Sequence, residues 1–129
     1  MDELAPFIGT WDIEAFGGHG HSVFEWALGG RFLVQRSGAD HPDAPDGLML
    51  VAPKDDGTYT QHYFDSRGVV RIYAMTFDGT TWTLERDGED FAQRYVGEFS
   101  GDRIEGRWEI KQPGEADFRL DFELSYDRA

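Results

Sequence analysis

The segment Phe118-Arg-Leu-Asp-Phe-Glu-Leu-Ser-Tyr126 alternates apolar and polar residues without interruption. That period of two belongs to an extended chain with one side in an apolar interior and the other in water. Comparable segments follow one another from about Thr58 onward. They are punctuated by Ser66-Arg-Gly68, Asp78-Gly79, Asp87-Gly88, Ser100-Gly-Asp102 and Gln112-Pro-Gly114, all turn-forming combinations. Read along the whole chain, the pattern predicts strands at 8–16, 22–27, 31–36, 47–52, 58–64, 69–77, 81–86, 91–99, 103–110 and 117–126. Connections are mostly hairpin-sized and almost nothing reads as a long helix. The predicted architecture is therefore all-β, a single antiparallel up-and-down barrel of about ten strands. Residues 2–7 are expected to form a short helical turn that plugs one barrel end. Gly17-Gly-His-Gly-His21 reads as a flexible turn, and residues 37–46, rich in Asp and Pro, as the one long loop, placed to cover a mouth.

No linker, repeat or low-complexity tract interrupts residues 1–129, so one domain is expected. A chain of that size buries roughly two-thirds of its unfolded surface without staples, and it contains no cysteine to supply a disulfide. No apolar stretch approaches the roughly 20 residues of a membrane span. The start, Met1-Asp-Glu-Leu-Ala-Pro6, lacks the basic and apolar character of a signal peptide. A soluble, cytoplasmic protein is the expectation. The 25 acidic side chains outnumber the 12 basic ones for a net charge of -13. Such a field repels phosphate backbones and anionic lipid, which argues against nucleic-acid and membrane partners. The surplus acids fall mainly in turns and at outward strand positions, where they serve solubility.

Phase assigns the interior. Ile104, Gly106, Trp108 and Ile110 share one face against Arg103, Glu105, Arg107 and Glu109, so the first set points inward. The same argument turns Phe118, Leu120, Phe122, Leu124 and Tyr126 inward. Phe91, Tyr95 and Phe99 carry Gln93 in with them, and Trp82 and Leu84 carry Arg86 toward the interior or its rim. In 69–77, Val69, Tyr73, Met75 and Phe77 outweigh Ile72 and Ala74 in apolar area, which brings Arg71 inside beside Tyr73. The 58–64 strand is a tie between Tyr59/Gln61/Tyr63 and Thr60/His62/Phe64, so the phase of His62 stays open.

The outcome is an interior lined by aromatic groups with three polar ones, Arg71, Arg86 and Gln93. A guanidinium taken out of water needs a carboxylate, ordered water or an anionic ligand. Two readings follow. In one, Arg71 pairs with Glu25 or Asp65 and the barrel is packed. In the other, an apolar pocket with a few convergent polar groups binds a small hydrophobic or aromatic, acidic molecule. The ligand-binding residues expected on that second reading are Arg71, Tyr73, Trp82, Arg86, Gln93, Tyr95 and Trp108.

Certain motifs carry a resemblance. Phe7-Ile-Gly-Thr-Trp11, the glycine-rich turn Gly17-Gly-His-Gly20 and the pair Phe24-Glu-Trp26 and Arg31-Phe-Leu-Val34 resemble the start of calycin-type barrels. These comprise lipocalins, fatty-acid-binding proteins and haem-binding nitrobindin-like barrels. His62-Tyr-Phe-Asp65, Gly68-Val-Val-Arg71, Phe91-Ala-Gln-Arg94, Gly106-Arg-Trp108 and Asp121-Phe122 are similar to a bacterial family of small calycin-like barrels with no established reaction. The resemblance spans nearly the whole chain. It implies a calycin-like fold and a prior for ligand binding, and nothing about chemistry.

Haem is the cofactor this resemblance raises. Nitrobindin-like barrels ligate iron through a histidine near the C-terminus, whereas no histidine follows His62 here. Ligation would fall to His62, to the His19/His21 turn or to a tyrosine. His19 and His21 lack evident third and fourth ligands, so no metal site is expected. Asp40, His41, Asp43 and Asp46 are spaced irregularly for calcium. No serine sits in a nucleophile elbow. The enzyme alternative is acid–base chemistry of isomerase or cyclase type, by His62 with Asp65 or Glu25 with Tyr73. A homodimer contact is expected, if anywhere, on the hairpin running from Ser22 to Arg36, where Val23, Phe24, Trp26, Phe32, Leu33 and Val34 put bulky apolar groups on both faces.

Overall fold

The computed structural model describes all residues from Met1 to Ala129. A six-residue 3₁₀ helix, Asp2–Phe7, precedes ten strands. They are β1 (Gly9–Ala15), β2 (Gly18–Ala27), β3 (Phe32–Ala39), β4 (Gly47–Pro53), β5 (Tyr59–Asp65), β6 (Val70–Phe77), β7 (Thr81–Asp87), β8 (Ala92–Ser100), β9 (Arg103–Lys111) and β10 (Arg119–Arg128). Every strand pairs antiparallel with its sequence neighbour, and β1 pairs with β10 from Trp11↔Arg128 to Ala15↔Leu124. The sheet is thus a closed barrel with no free edge. No helix is long and apolar enough to cross a membrane.

The 3₁₀ helix plugs the barrel end where β1 begins. Leu4 and Phe7 are fully buried, and the Phe7 ring packs against Phe24, Phe77, Trp82 and Phe99 at centroid distances of 5.4, 5.0, 5.0 and 4.9 Å. Trp11 Nε1 donates to the Phe7 carbonyl at 2.8 Å. Arg128, from the last strand, donates to the carbonyls of Ile8 and Pro6 at 2.8 and 2.9 Å and stacks over the Trp11 ring. A hydrogen bond from the Tyr59 hydroxyl to Glu3 holds the helix start and is the largest of the causes, ahead of the Glu3 backbone amide and the N-terminal ammonium, that lower the Glu3 carboxyl to about 2.

Phase is as expected on most strands. Ile104 and Tyr126 are buried opposite one another, and Tyr59 and Gln61 settle the β5 tie by turning inward, which leaves His62 outward between Leu50 and Ile72 of the neighbouring strands. Two expectations fail for identifiable reasons. In β10 the register against β9 slips by one between Leu120 and Phe122, a bulge that reverses the phase upstream of it. Leu120 therefore pairs with outward Glu109 and is 55% exposed, while Phe118 lies outside the barrel beneath Arg94 and Lys111. Only Phe122, Leu124 and Tyr126 of that set face in. The glycine-rich segment is also shorter as a turn than expected. Gly18 already pairs with Ala15, so the turn is only Phe16-Gly17, both at positive φ (56° and 70°), a primed hairpin geometry. His19 and His21 then sit in β2, opposite Glu14 and Asp12 on the adjacent strand.

Gly97 and Gly106 face each other across β8 and β9, and the Tyr95 ring lies over both. A Cβ at position 106 would overlap the Tyr95 ring and hydroxyl, which otherwise donates to the Leu124 carbonyl at 3.0 Å. Gly106→Ala is expected to lower stability in urea denaturation by roughly 1–3 kcal/mol, because the rigid ring has no flexible end to yield. An unchanged midpoint would show that Tyr95 is not pinned as described.

Candidate functional site

Beyond the plug, the barrel interior opens into a cavity of about 460 Å³. Its walls come from alternate residues of nearly every strand, as the two-residue period requires. A run of rings forms one side. Trp82 lies 5.1 Å from Tyr95, Tyr95 lies 5.2 Å from Trp108, Trp108 lies 5.7 Å from Tyr73, and Tyr73 lies 6.5 Å from Tyr63, centroid to centroid. These tilted and edge-on contacts hold each ring in place. The mouth lies at the end where β6 begins and β7 ends. Phe16 and Pro45 line it, and the Phe16 ring stacks on Phe122 at 4.5 Å. An aromatic residue at positive φ is strained, and that stacking helps hold it.

Of the seven expected binding residues, the structure brings six to the cavity wall: Arg71, Tyr73, Trp82, Gln93, Tyr95 and Trp108. Arg86 stands just behind, at the rim. Its Nε lies 3.4 Å from Gln93 Oε1, and its terminal nitrogen bonds Asp90 and the Phe91 carbonyl at 3.1 and 3.2 Å. Gln93 Oε1 also accepts from the Tyr73 hydroxyl at 2.8 Å. The guanidinium groups of Arg71 and Arg86 both rest against the Phe91 ring, 5.3 and 4.9 Å from its centroid.

The internal partners expected for Arg71 are engaged elsewhere. Glu25 follows inward Phe24 and so faces out, where it pairs with Arg36 at 2.5 Å. Asp65 is bound by Arg67, by the Tyr63 hydroxyl at 2.8 Å and by the amides of Arg67 and Val69. Arg71 belongs to no ion pair in the protein. The acid–base pairings considered from sequence are likewise not assembled, because His62 and Glu25 are both outside the cavity.

Side chains that sequence periodicity did not single out complete the wall, notably Gln35 and Gln61, both almost fully buried. Each stands two residues after an inward apolar group, Leu33 and Tyr59, and that spacing is the signal that marks them. Gln35 Nε2 bonds Ser22 Oγ at 3.0 Å and lies 3.3 Å from Tyr126 Oη.

Burial keeps the cavity phenols protonated. It pushes Tyr126 up to about 12 and Tyr95 well above its ordinary range, and it raises Tyr73 against the opposing pull of Arg71 and Arg86. Burial, then the bond to Asp65, takes Tyr63 to about 12. These hydroxyls are neutral at physiological pH and can donate hydrogen bonds. The cavity wall contains no histidine. His19 and His41 border a separate recess beside the mouth, where His41 Nδ1 accepts from the Asp43 amide. No three His, Asp or Glu side chains are grouped to hold a metal ion. On the hairpin from Ser22 to Arg36, Phe24, Leu33 and Val34 are buried within the barrel wall, leaving Trp26 as its most exposed ring.

No protein-family model matches this chain, and no curated protein sequence does. Among solved structures, the chain is similar to the crystal structure of Rv2717c from M. tuberculosis, with a TM-score of 0.69 and 16% sequence identity over 99% of this chain and 96% of that one. At that identity the likeness concerns the fold alone.

Two stability effects separate the mouth residues. Arg71→Leu is expected to leave the unfolding midpoint of the empty barrel unchanged or to raise it, since no ion pair is lost and an unpaired guanidinium leaves the cavity wall. Asp65→Asn should lower the unfolding midpoint at pH 7. The Asp65 carboxyl is held well below its ordinary value, first by Arg67 and then by Tyr63 and the backbone amides, so its contribution is present above the unfolded pKa and disappears in acid. The gap between wild type and Asp65→Asn should be constant above about pH 5 and close below about pH 4. A gap that widens in acid would contradict the assigned bonds.

Proposed function

We propose that this barrel binds a small hydrophobic or aromatic molecule carrying an acidic group, in its interior. One observation carries the reading. In a chain with 25 acidic side chains, the cavity wall includes no Asp, Glu, Lys or His, yet presents aromatic rings and an arginine without a carboxylate partner. A volume of about 460 Å³ falls in the range of small-molecule pockets, roughly 300–1,000 Å³. The walls of Trp82, Tyr95 and Trp108 suit the faces of a ring system. Arg71 at the mouth suits an anion, with Tyr73 and Gln93 as the neutral polar groups beside it. The resemblance to calycin barrels, which enclose small ligands, supports the same reading.

A guanidinium partly withdrawn from water gains most from an anion that shares its low-dielectric surroundings. The negative exterior does not oppose this, because charges more than about 10 Å away in water are screened at ordinary ionic strength. The acid of the ligand would dock toward the mouth and the rings inward.

The test is calorimetric titration with 2-naphthoic acid and with its neutral isostere 2-naphthamide. The acid is expected to bind more tightly than the amide. Arg71→Leu should weaken the acid by roughly ten- to hundredfold, as for the loss of a charged hydrogen bond, and leave the amide nearly unchanged. Arg107→Leu, on the outer face, should alter neither. Equal binding of acid and amide would remove the acidic group from the proposal. Absence of binding by both would overturn interior binding itself.

A further inference from the structure

The outer surface of β4, β5 and β6 is unlike the rest of the barrel. Residues alternating with the buried Met49, Val51, Tyr59, Gln61, Tyr73 and Met75 point outward there, and none of them is charged at neutral pH. Each of the other seven strands carries charge on that side, as with Glu14 of β1, Glu25 of β2, Glu85 of β7 and Glu98 of β8. In a chain of net charge -13, three adjacent strands thus leave one gap in an acidic coat. The gap is apolar and open. Val70, Ile72, Leu48 and Leu50 are 62%, 56%, 38% and 36% exposed, a contiguous patch and not scattered single residues.

Register orders this face by size. Leu48, Phe64 and Val70 form a bulky row across the three strands. Leu50, His62 and Ile72 form the middle row, and Ala52, Thr60 and Ala74 a row of small side chains. Such a gradient fits a copy of itself. A two-fold axis along the middle row lays the bulky row of one copy on the small row of the other and does so twice, as an isologous contact requires. A closed barrel has no strand edge to extend, so two copies can meet only face to face. Like-charged copies repel least where neither presents a carboxylate.

We infer that the outer face of β4–β6 is a self-association surface, on which a second copy of this chain packs about a two-fold axis running through His62. Three rows about 7 Å apart on three strands about 4.8 Å apart give an apolar centre of about 300 Å². Stable interfaces bury about 800 Å² on each partner, roughly half of it apolar, so this centre with a polar rim makes a small interface. The dimer is accordingly weak, with a Kd on the order of 1–100 µM.

Sedimentation equilibrium of the full chain up to about 1 mM tests this across the expected range. The wild type is expected to dimerise, and more tightly at high salt, because salt screens the repulsion between acidic copies and leaves an apolar contact intact. Ile72→Glu places two unpaired carboxylates in the interface and should weaken association by roughly a hundredfold or more. Leu50→Glu, on the other side of His62, should do the same and serves if the first variant fails to fold. Thr10→Glu, exposed on the outer face of β1, should leave association nearly unchanged. Because the chain has no cysteine, His62→Cys supplies a single thiol, which a short bismaleimide should join across the axis, whereas Thr10→Cys should stay uncoupled. A monomer at every concentration would overturn the proposal. So would a dimer that survives both glutamate substitutions, and so would a monomer that floats with neutral phosphatidylcholine vesicles through this face. A dimer without the position-62 cross-link would overturn the axis.

Discussion

The pairing of β1 with β10 is the contact on which the rest of this molecule depends. It removes both sheet edges, and it brings Arg128 over Trp11 and onto the carbonyls of Pro6 and Ile8. The 3₁₀ helix is thereby fastened across one barrel end by both termini of the chain. Phe7 can then fill that end with four aromatic neighbours. A short helix has little stability of its own, and here tertiary packing supplies it. With one end closed and dry, the remaining interior has a floor as well as walls, which is the condition for a cavity with direction.

Charge is divided just as unevenly. Most acids of the chain lie on outer faces and turns, where they meet water and most of the arginines, while the Asp65 side chain is buried behind Tyr63 and Arg67 at the mouth. Arg36, Arg67, Arg94, Arg103, Arg119 and Arg128 each hold a carboxylate. Arg71 is brought to the cavity by the phase of Tyr73 and Met75, and that phase keeps it away from the outward carboxylates of its own strand neighbours. The same alternation that buries a tyrosine two residues on thus isolates a cation. Low dielectric makes such isolation costly in the empty barrel and useful when an anion arrives.

Much of this was legible from the residues. The ten strands, the plug at residues 2–7, the inward set of β9 and six of the seven cavity residues all follow from a period of two and from turn chemistry, which are local. The failures share a different character. Leu120 and Phe118 continue a flawless alternation, yet one bulge at Asp121 turns them outward, because register against β9 outweighs the pattern of a single strand. The glycines from Gly18 to Gly20 look like a turn but pair as strand. At Gly20 a side chain would run into the Gly38 carbonyl, so glycine serves the close approach of β3 and not flexibility.

The sequence by itself determined the all-β class, the antiparallel meander and the aromatic, arginine-bearing interior, since each of these rests on side-chain alternation between near neighbours in the chain. Tertiary structure alone decided that Glu25 and Asp65 are taken by Arg36 and Arg67, that Arg71 is left without a carboxylate, and that Gln35 of β3 and Trp82 of β7 each come against Tyr126 of β10. Those outcomes depend on which side chains from distant strands arrive in the same place once the barrel closes. Closure sets them through register and strand tilt, quantities that no single strand encodes.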